Sequence, residues 1–251
     1  MDTEQIRTRA LNGILRITIQ RPEKLNALTL AMYDALTEAL NEAEQDAGIR
    51  VILIQGSQGC FSSGNDLADF AQNPPAGEDS PVFRFLRAIS QAGKPLIAQV
   101  SGPAVGIGTT MLLHCDLVYA DETARFQLPF VSLGLCPEAA SSFLLPRLVG
   151  HQRAAELLLL GETVSAQRAV VLGLVNQLFP QVELADQALA KAAALAKQPA
   201  RSVQLSKALL KAGTRDQVAD VINKEGELFL QCLAGPEAQQ AIAQFVRKTS
   251  S

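Results

Sequence analysis

A lone carboxylate, Glu138, stands in the stretch Leu135-Cys136-Pro137-Glu138-Ala139-Ala140-Ser141-Ser142-Phe143, between apolar and small residues. Two glycine-containing turns precede it, Ser62-Ser63-Gly64-Asn65-Asp66 and Ser101-Gly102-Pro103-Ala104-Val105-Gly106-Ile107-Gly108. Brought together, they would set one acid/base group before two sets of backbone N–H donors. That is equipment for moving a proton beside a carbonyl whose oxygen gains charge. Each segment also has a plain structural reading. The first is an ordinary strand-to-helix turn in which Asp66 caps the next helix. The second opens a helix whose N-terminus offers N–H groups to a negative charge. Pro137 and Glu138 read as the first positions of a helix, where an acid complements the macrodipole. Leu133, Leu135 and Phe143 are expected to bury Glu138 and raise its pKa.

Other chemistries find less support. The second turn lacks the Gly-x-Gly-x-x-Gly spacing and a fitting acidic residue further on (Asp121 has the wrong context), so dinucleotide binding is disfavoured. No Gly-Lys-Ser/Thr occurs. His114, in the apolar run Met111-Leu112-Leu113-His114-Cys115, reads as a packed core residue, and His151 stands far from it. Neither has metal-ligand spacing. The four cysteines, Cys60, Cys115, Cys136 and Cys232, form no CxxC pair and read as reduced thiols. A net charge of −3 over 251 residues gives no basic footprint for nucleic acid. The acidic start Met1-Asp2-Thr3-Glu4, the end Arg247-Lys248-Thr249-Ser250-Ser251 and the lack of any long apolar run lead to an expectation of a cytoplasmic protein that does not enter membranes.

The elements that must position these residues follow from periodicity. Residues 13–20 read as a strand, and Thr29 caps a helix with Met32, Ala35, Leu36, Ala39, Leu40 and Ala43 on its apolar side. Strands are expected at 51–54, 95–100, 116–120 and 124–128, a loop at 72–81, and helices after it and over 105–114. From His151 onward the pattern is helical, over 151–160, 165–172, 182–197, 200–212, 215–233 and 236–247. This predicts an α/β core with an α-helical C-terminal region and no sequence-visible repeat.

The motifs together resemble the crotonase superfamily of enoyl-CoA hydratases and isomerases. The resemblance rests on Arg21-Pro22-Glu23-Lys24-Leu25-Asn26-Ala27-Leu28, Phe61-Ser62-Ser63-Gly64-Asn65-Asp66-Leu67, Lys94 through Gly106, Cys115-Asp116 and Leu145-Pro146-Arg147-Leu148-Val149-Gly150, in family order over residues 10–250. It implies a ββα spiral core over 1–195 and a helical region over 196–251 that closes the site and builds trimers or dimers of trimers. It also implies a coenzyme A thioester as substrate, with no permanently bound cofactor. By the same resemblance, the backbone N–H groups of Asn65 and Ile107 form the oxyanion hole. Lys24, Asn26, Ala27, Leu28, Ser63, Gly64, Asp66, Leu67, Gly106 and Phe130 line the CoA and substrate site.

Hydratases of that superfamily carry two glutamates. Here the matching positions hold Thr110 and Phe130, and Phe130 is expected to narrow and dry the pocket. Glu138 matches the sole base of the Δ3,Δ2-enoyl-CoA isomerase branch. The resemblance thus implies an isomerase of fatty-acid or related acyl-CoA metabolism, including β-oxidation. Alternatives are an enoyl-CoA hydratase or other crotonase reaction, and a non-catalytic CoA-binding module.

Overall fold

A computed structural model of the chain describes residues 5–75, 77 and 79–249. Its first layer is a six-stranded sheet. Strands β1 (Ile6–Leu11) and β2 (Ile14–Ile19) form an antiparallel hairpin, turned by Asn12 and Gly13, both at positive φ. β2 then pairs in parallel with β3 (Val51–Gln55), β3 with β4 (Leu96–Val100), and β4 with β6 (Leu117–Ala120). β9 (Gln177–Leu178) closes the far edge. Parallel neighbours need long crossovers. The first is α1 (Leu30–Gln45), started by the Thr29 hydroxyl, which accepts the Met32 N–H at 3.3 Å. The second holds α2 (Leu67–Gln72) and α3 (Pro81–Gln91). β5 (Pro103–Val105), β7 (Arg125–Gln127) and β8 (Val164–Ser165) form a separate small sheet.

The sheet is buried on both sides. On one, Ile17, Ile52, Ile54 and Ala98 join Met32, Leu36, Leu40, Phe85 and Ile89 of α1 and α3 in the main core. On the other, Val51, Leu53, Ile97 and Tyr119 meet Leu184, Ala188 and Ala192 of α8 (Gln181–Ala196), small residues that let the helix lie close. Alternate residues of each strand point to opposite layers, which is why β3 and β4 read as unbroken apolar runs.

Several elements differ from the sequence reading. β1, β8 and β9 are additional; the last two are only two residues long and owe their extension to neighbouring strands. The segment expected as one helix over 105–114 is a single α-turn, α4 (Ile107–Thr110), followed by a 3-10 turn at Met111–His114. Part of the expected second turn is β5. Glu138 does not open a helix: α5 (Ser141–Val149) begins three residues later, so Glu138 lies in the turn before it. Positions 76 and 78 of the expected 72–81 loop lie outside the described residues. Helices α6 (His151–Ala155), extended by a π-turn at Glu156–Leu160, and α7 (Ala166–Val171) lead to β9. After α8, Pro199 starts α9 (Ala200–Ala212), then α10 (Arg215–Ala234) and α11 (Pro236–Thr249). α10 packs on α3 and α5, and α11 returns to α2 and to the segment before Glu138. That return is close: a Cβ on Gly134 would meet the Ala238 nitrogen at 2.7 Å. No described helix is long and apolar enough to cross a membrane.

Candidate active site

The segment 24–28 and the first turn are stitched into one strip. Ser63 N–H donates to the Leu25 carbonyl at 2.9 Å, Leu28 N–H to Gly64 at 2.8 Å, and Asp66 N–H to Leu28 at 2.9 Å. Leu25 and Asn26 both sit at positive φ, a local kink held by the Asn26 side chain. That side chain is fully buried, accepts from Arg21 N–H and Ser57 Oγ, and donates to the Ser57 and Cys60 carbonyls. Its amide therefore braces the strip from within. Lys24 and Leu25 are exposed beside it, Ala27 and Leu28 are buried, and Ser63 Oγ contacts the Lys24 carbonyl at 3.3 Å.

Asp66 caps α2 through the N–H groups of Ala68 and Asp69, and pairs with Arg21 at 2.6 Å. Burial opposes its charge, but the Arg21 hydrogen bond, the two N–H donors and the guanidinium charge outweigh it, and its pKa lies below the ordinary value. Asp66 is thus an ionised cap that sets the start of α2. Leu67 opens that helix, and Phe70 on its inner face reaches the cavity of Glu138.

The second turn lies against the first. Ser62 N–H donates to the Pro103 carbonyl at 3.0 Å, and Val105 N–H to Ser62 at 2.9 Å. Contact is backbone to backbone. A Cβ on Gly64 would stand 2.9 Å from the Val105 carbonyl oxygen, and one on Gly108 would stand 2.7 Å from that of Ser62. Gly64 (φ 98°) and Gly106 (φ 54°) also take backbone conformations that favour glycine. Gly106 is tied back through its N–H to Gln127 at 2.9 Å and leaves Ile107 at the start of α4. Among the described residues, neither Asn65 N–H nor Ile107 N–H has a protein acceptor. The Asn65 side-chain oxygen accepts from the hydroxyl of Tyr33, a fully buried residue of α1.

Glu138 is 5% exposed, and one of its carboxyl oxygens is buried without a partner. It lines a narrow cavity with Ala139, with Phe70 and Pro75 near α2, with Val82, Phe83 and Leu86 of α3, and with Ile222, Gly226 and Phe229 of α10. Among the described residues no other carboxylate lines it. The cavity walls therefore come from α2, α3 and α10, and Leu133, Leu135 and Phe143 are not among them. Burial first, and the charge of Glu225 second, raise the Glu138 pKa from 4.5 to about 8. Tyr33 feels the Glu138 charge, which together with its own burial holds the phenol in its neutral form. Tyr33 thus connects Glu138 to the Asn65 turn.

Of the remaining sequence-derived positions, Thr110 is fully buried with its hydroxyl unpartnered. Phe130 is buried at the start of a 3-10 turn, its carbonyl accepting from Leu133 and Leu135, and it is not a lining residue of the Glu138 cavity. Three residues of the site escaped the sequence reading. Tyr33 lies within the apolar stripe of α1, where a hydroxyl must find a partner. His114 is a buried core residue as expected, but its Nε2 also meets the Ala139 carbonyl at 2.8 Å. Its pKa is lowered to about 4, chiefly by burial, so the ring is neutral and donates that bond. Glu225 interrupts the apolar spacing Val218, Ile222, Phe229 and Leu233 of α10. A carboxylate in such a stripe was the legible signal.

Two turns packed backbone to backbone, and a buried carboxyl linked to the first of them through Tyr33, sit on a sheet-and-helix frame that can be set beside known proteins. The enoyl-CoA hydratase/isomerase family profile matches residues 9–251. The chain belongs to the enoyl-CoA hydratase/isomerase family, within the crotonase superfamily. The OdaA structure of Pseudomonas aeruginosa is 45% identical, with a TM-score of 0.95, covering 97% of this chain and 99% of that one. The rat enoyl-CoA delta isomerase 2 is 35% identical over 94% of this chain, which spans 62% of that relative's length. The 2,3-dehydroadipyl-CoA hydratase of Escherichia coli is 34% identical over 94% of this chain and 92% of its own. The family thus accounts for the fold, while an isomerase and a hydratase stand at nearly equal identity.

Proposed function

We propose that this protein is a Δ3,Δ2-enoyl-CoA isomerase in which Glu138 is the only acid/base group. The observation that carries the reading is the buried Glu138 carboxyl in an apolar cavity with no other carboxylate lining it among the described residues. The substrate is an acyl-CoA that comes and goes, its thioester oxygen accepted by the Asn65 and Ile107 N–H groups. Ionised Glu138 removes a C2 proton from the 3-enoyl thioester. The C2–H electron pair moves toward the carbonyl and gives a dienolate whose oxygen rests on the two N–H donors. The same carboxyl, now protonated, returns that proton at C4; the thioester carbonyl reforms and the double bond stands between C2 and C3. No redox partner is needed.

A pKa raised toward neutrality suits both halves of the shuttle: the group must take a proton and release it. Each oxyanion donor is typically worth about 2.7–4 kcal/mol in the transition state. Hydration needs a second acid/base group to hold and activate water. The hydratase-matching positions hold Thr110 and Phe130, and both oxygens of nearby Glu225 are already occupied by donors from Ala140 and Ser142. The test is a side-by-side assay on 3-enoyl-CoA and 2-enoyl-CoA over a range of chain lengths. Faster formation of the conjugated 2-enoyl thioester than of the 3-hydroxyacyl product supports the isomerase; the reverse order makes the protein a hydratase.

A further inference from the structure

The backbone after Glu138 is held in an unfavourable shape. Ala139 and Ala140 both lie in the left-handed region, at φ 59° and 55°, although neither is glycine. Each such residue costs on the order of 1 kcal/mol or more, so the turn persists only where its surroundings over-determine it. Four of its polar groups are held from other elements. His114 holds the Ala139 carbonyl. The Glu225 carboxyl accepts the Ala140 N–H on one oxygen at 2.6 Å, and the Ser142 N–H at 2.9 Å and hydroxyl at 2.5 Å on the other. Within the turn, Ser141 N–H closes on the Glu138 carbonyl at 3.0 Å.

The usual N-cap of α5 is thus replaced. Ala140 occupies the cap position and has no side chain that can accept. A carboxylate from α10, some 80 residues away in sequence, takes over the exposed N–H groups. Burial raises the Glu225 pKa above its ordinary value, while the three bonds it accepts, with none donated, favour the ionised form. It is 6% exposed, and its neighbour Gly226 lines the Glu138 cavity.

We propose that Glu225 is the positioning residue of the base: from α10 it clamps the N–H groups of Ala140 and Ser142, fixes the left-handed turn, and so sets where the Glu138 carboxyl points. The identity of Glu138 as base rests on the isomerase reading above; the clamp itself does not. The groups facing Glu138 are few. α1 brings Tyr33, the 3-10 turn brings neutral His114, and α10 brings Glu225. The described side chains of α2 and α3 at the cavity are apolar. Among the described residues, Glu225 is therefore the charged group whose removal changes both the position and the electrostatics of the base.

The deciding experiment compares Glu225→Gln with wild type over pH 6–10 on 3-enoyl-CoA. Glutamine keeps the shape but loses the charge and turns two donors toward donors. kcat is expected to fall about 10²-fold, the scale of a base misplaced by an ångström, with little change in KM. The rising limb of the pH profile is expected to move to lower pH, because a negative neighbour has gone. A merely structural residue would not move that limb. Wild-type kcat with an unmoved limb overturns the proposal. If Glu225→Gln does not fold, Ser142→Ala decides: it loosens the clamp but leaves the Glu225 charge in place, so the proposal requires a smaller drop in kcat without the downward move of the limb, while unchanged kinetics overturn it. If the wild type isomerises nothing, the isomerase reading fails separately. The clamp is then judged by carbon-13 titration of the Glu138 carboxyl, assigned with Glu138→Gln. A midpoint lower in Glu225→Gln than in wild type supports it, and coincident titrations overturn it.

Discussion

Replacing Glu138 with glutamine removes the ionisation and keeps the shape, and its effect on stability can be worked from the burial of the carboxyl. In the folded protein the group titrates near 8 against an ordinary 4.5. At about 1.36 kcal/mol per pH unit, that interval caps the penalty for the ionised form at about 5 kcal/mol. Between the two values the folded chain holds the proton and the unfolded chain has lost it, so stability falls as pH rises. Below the lower value both states are protonated and the penalty is absent; above the upper one it is complete. Glutamine has no such dependence. Urea unfolding at pH 5, 7 and 9 should therefore show Glu138→Gln drawing steadily ahead of wild type, from near parity to a lead of about 2–5 kcal/mol, the lower figure allowing for local relaxation. The same variant should lose about 10²–10⁴-fold in isomerisation. A variant that is slower but no more stable at pH 9 than at pH 5 would refute the reasoning, because the buried charge would not then carry the cost assigned to it.

Other outcomes follow from the same geometry. The kcat/KM of the wild type on 3-enoyl-CoA should rise with pH to a midpoint near 8, since free Glu138 must be ionised to accept the C2 proton; a profile flat from pH 6 to 9 would count against it. Gly108→Ala puts a Cβ 2.7 Å from the Ser62 carbonyl oxygen and must part the two donor turns. It should cost about 10²-fold in kcat, the scale of one lost oxyanion donor, with the fold retained by circular dichroism. Gly226→Ala would bring a Cβ within 2.2 Å of the Phe83 ring. It should cost about 1–3 kcal/mol by overpacking and weaken longer acyl chains more than short ones. Finally, Leu209 and Leu210 of α9 are 77% and 84% exposed. If the expected trimer or pair of trimers buries them, Leu209→Glu should lower the mass seen by sedimentation.

The legible part of the fold was the part fixed by local pattern. β3 and β4 are apolar runs because both faces of the sheet are covered, and α1 declares itself through Thr29 and its apolar stripe. β8 and β9 carry no such signal, because two residues become a strand only when a neighbour pairs with them. The turns at 62–66 and 101–108 were visible as glycine-containing segments, and the reason for Gly64 and Gly108 came only from seeing each against the other's backbone. Glu138 stood out in the sequence as a lone carboxylate, but the residues that line its cavity did not. Leu133, Leu135 and Phe143 are its neighbours in sequence, but the cavity it lines is walled by Phe83, Ile222 and Phe229 from α3 and α10. The Pro-Glu pair read as a helix start because the left-handed Ala139 and Ala140 that delay α5 are enforced by Glu225 and His114, contacts no local rule anticipates.

The most direct test of a single carboxyl moving a single proton is to follow that proton. With 3-enoyl-CoA deuterated at C2 and turned over once in ordinary water, the account predicts deuterium at C4 of the 2-enoyl product, carried there by a buried Glu138 shielded from exchange. Loss of the C2 label to solvent with only solvent hydrogen at C4 would contradict it, since the proton taken from C2 would then not be the one delivered to C4.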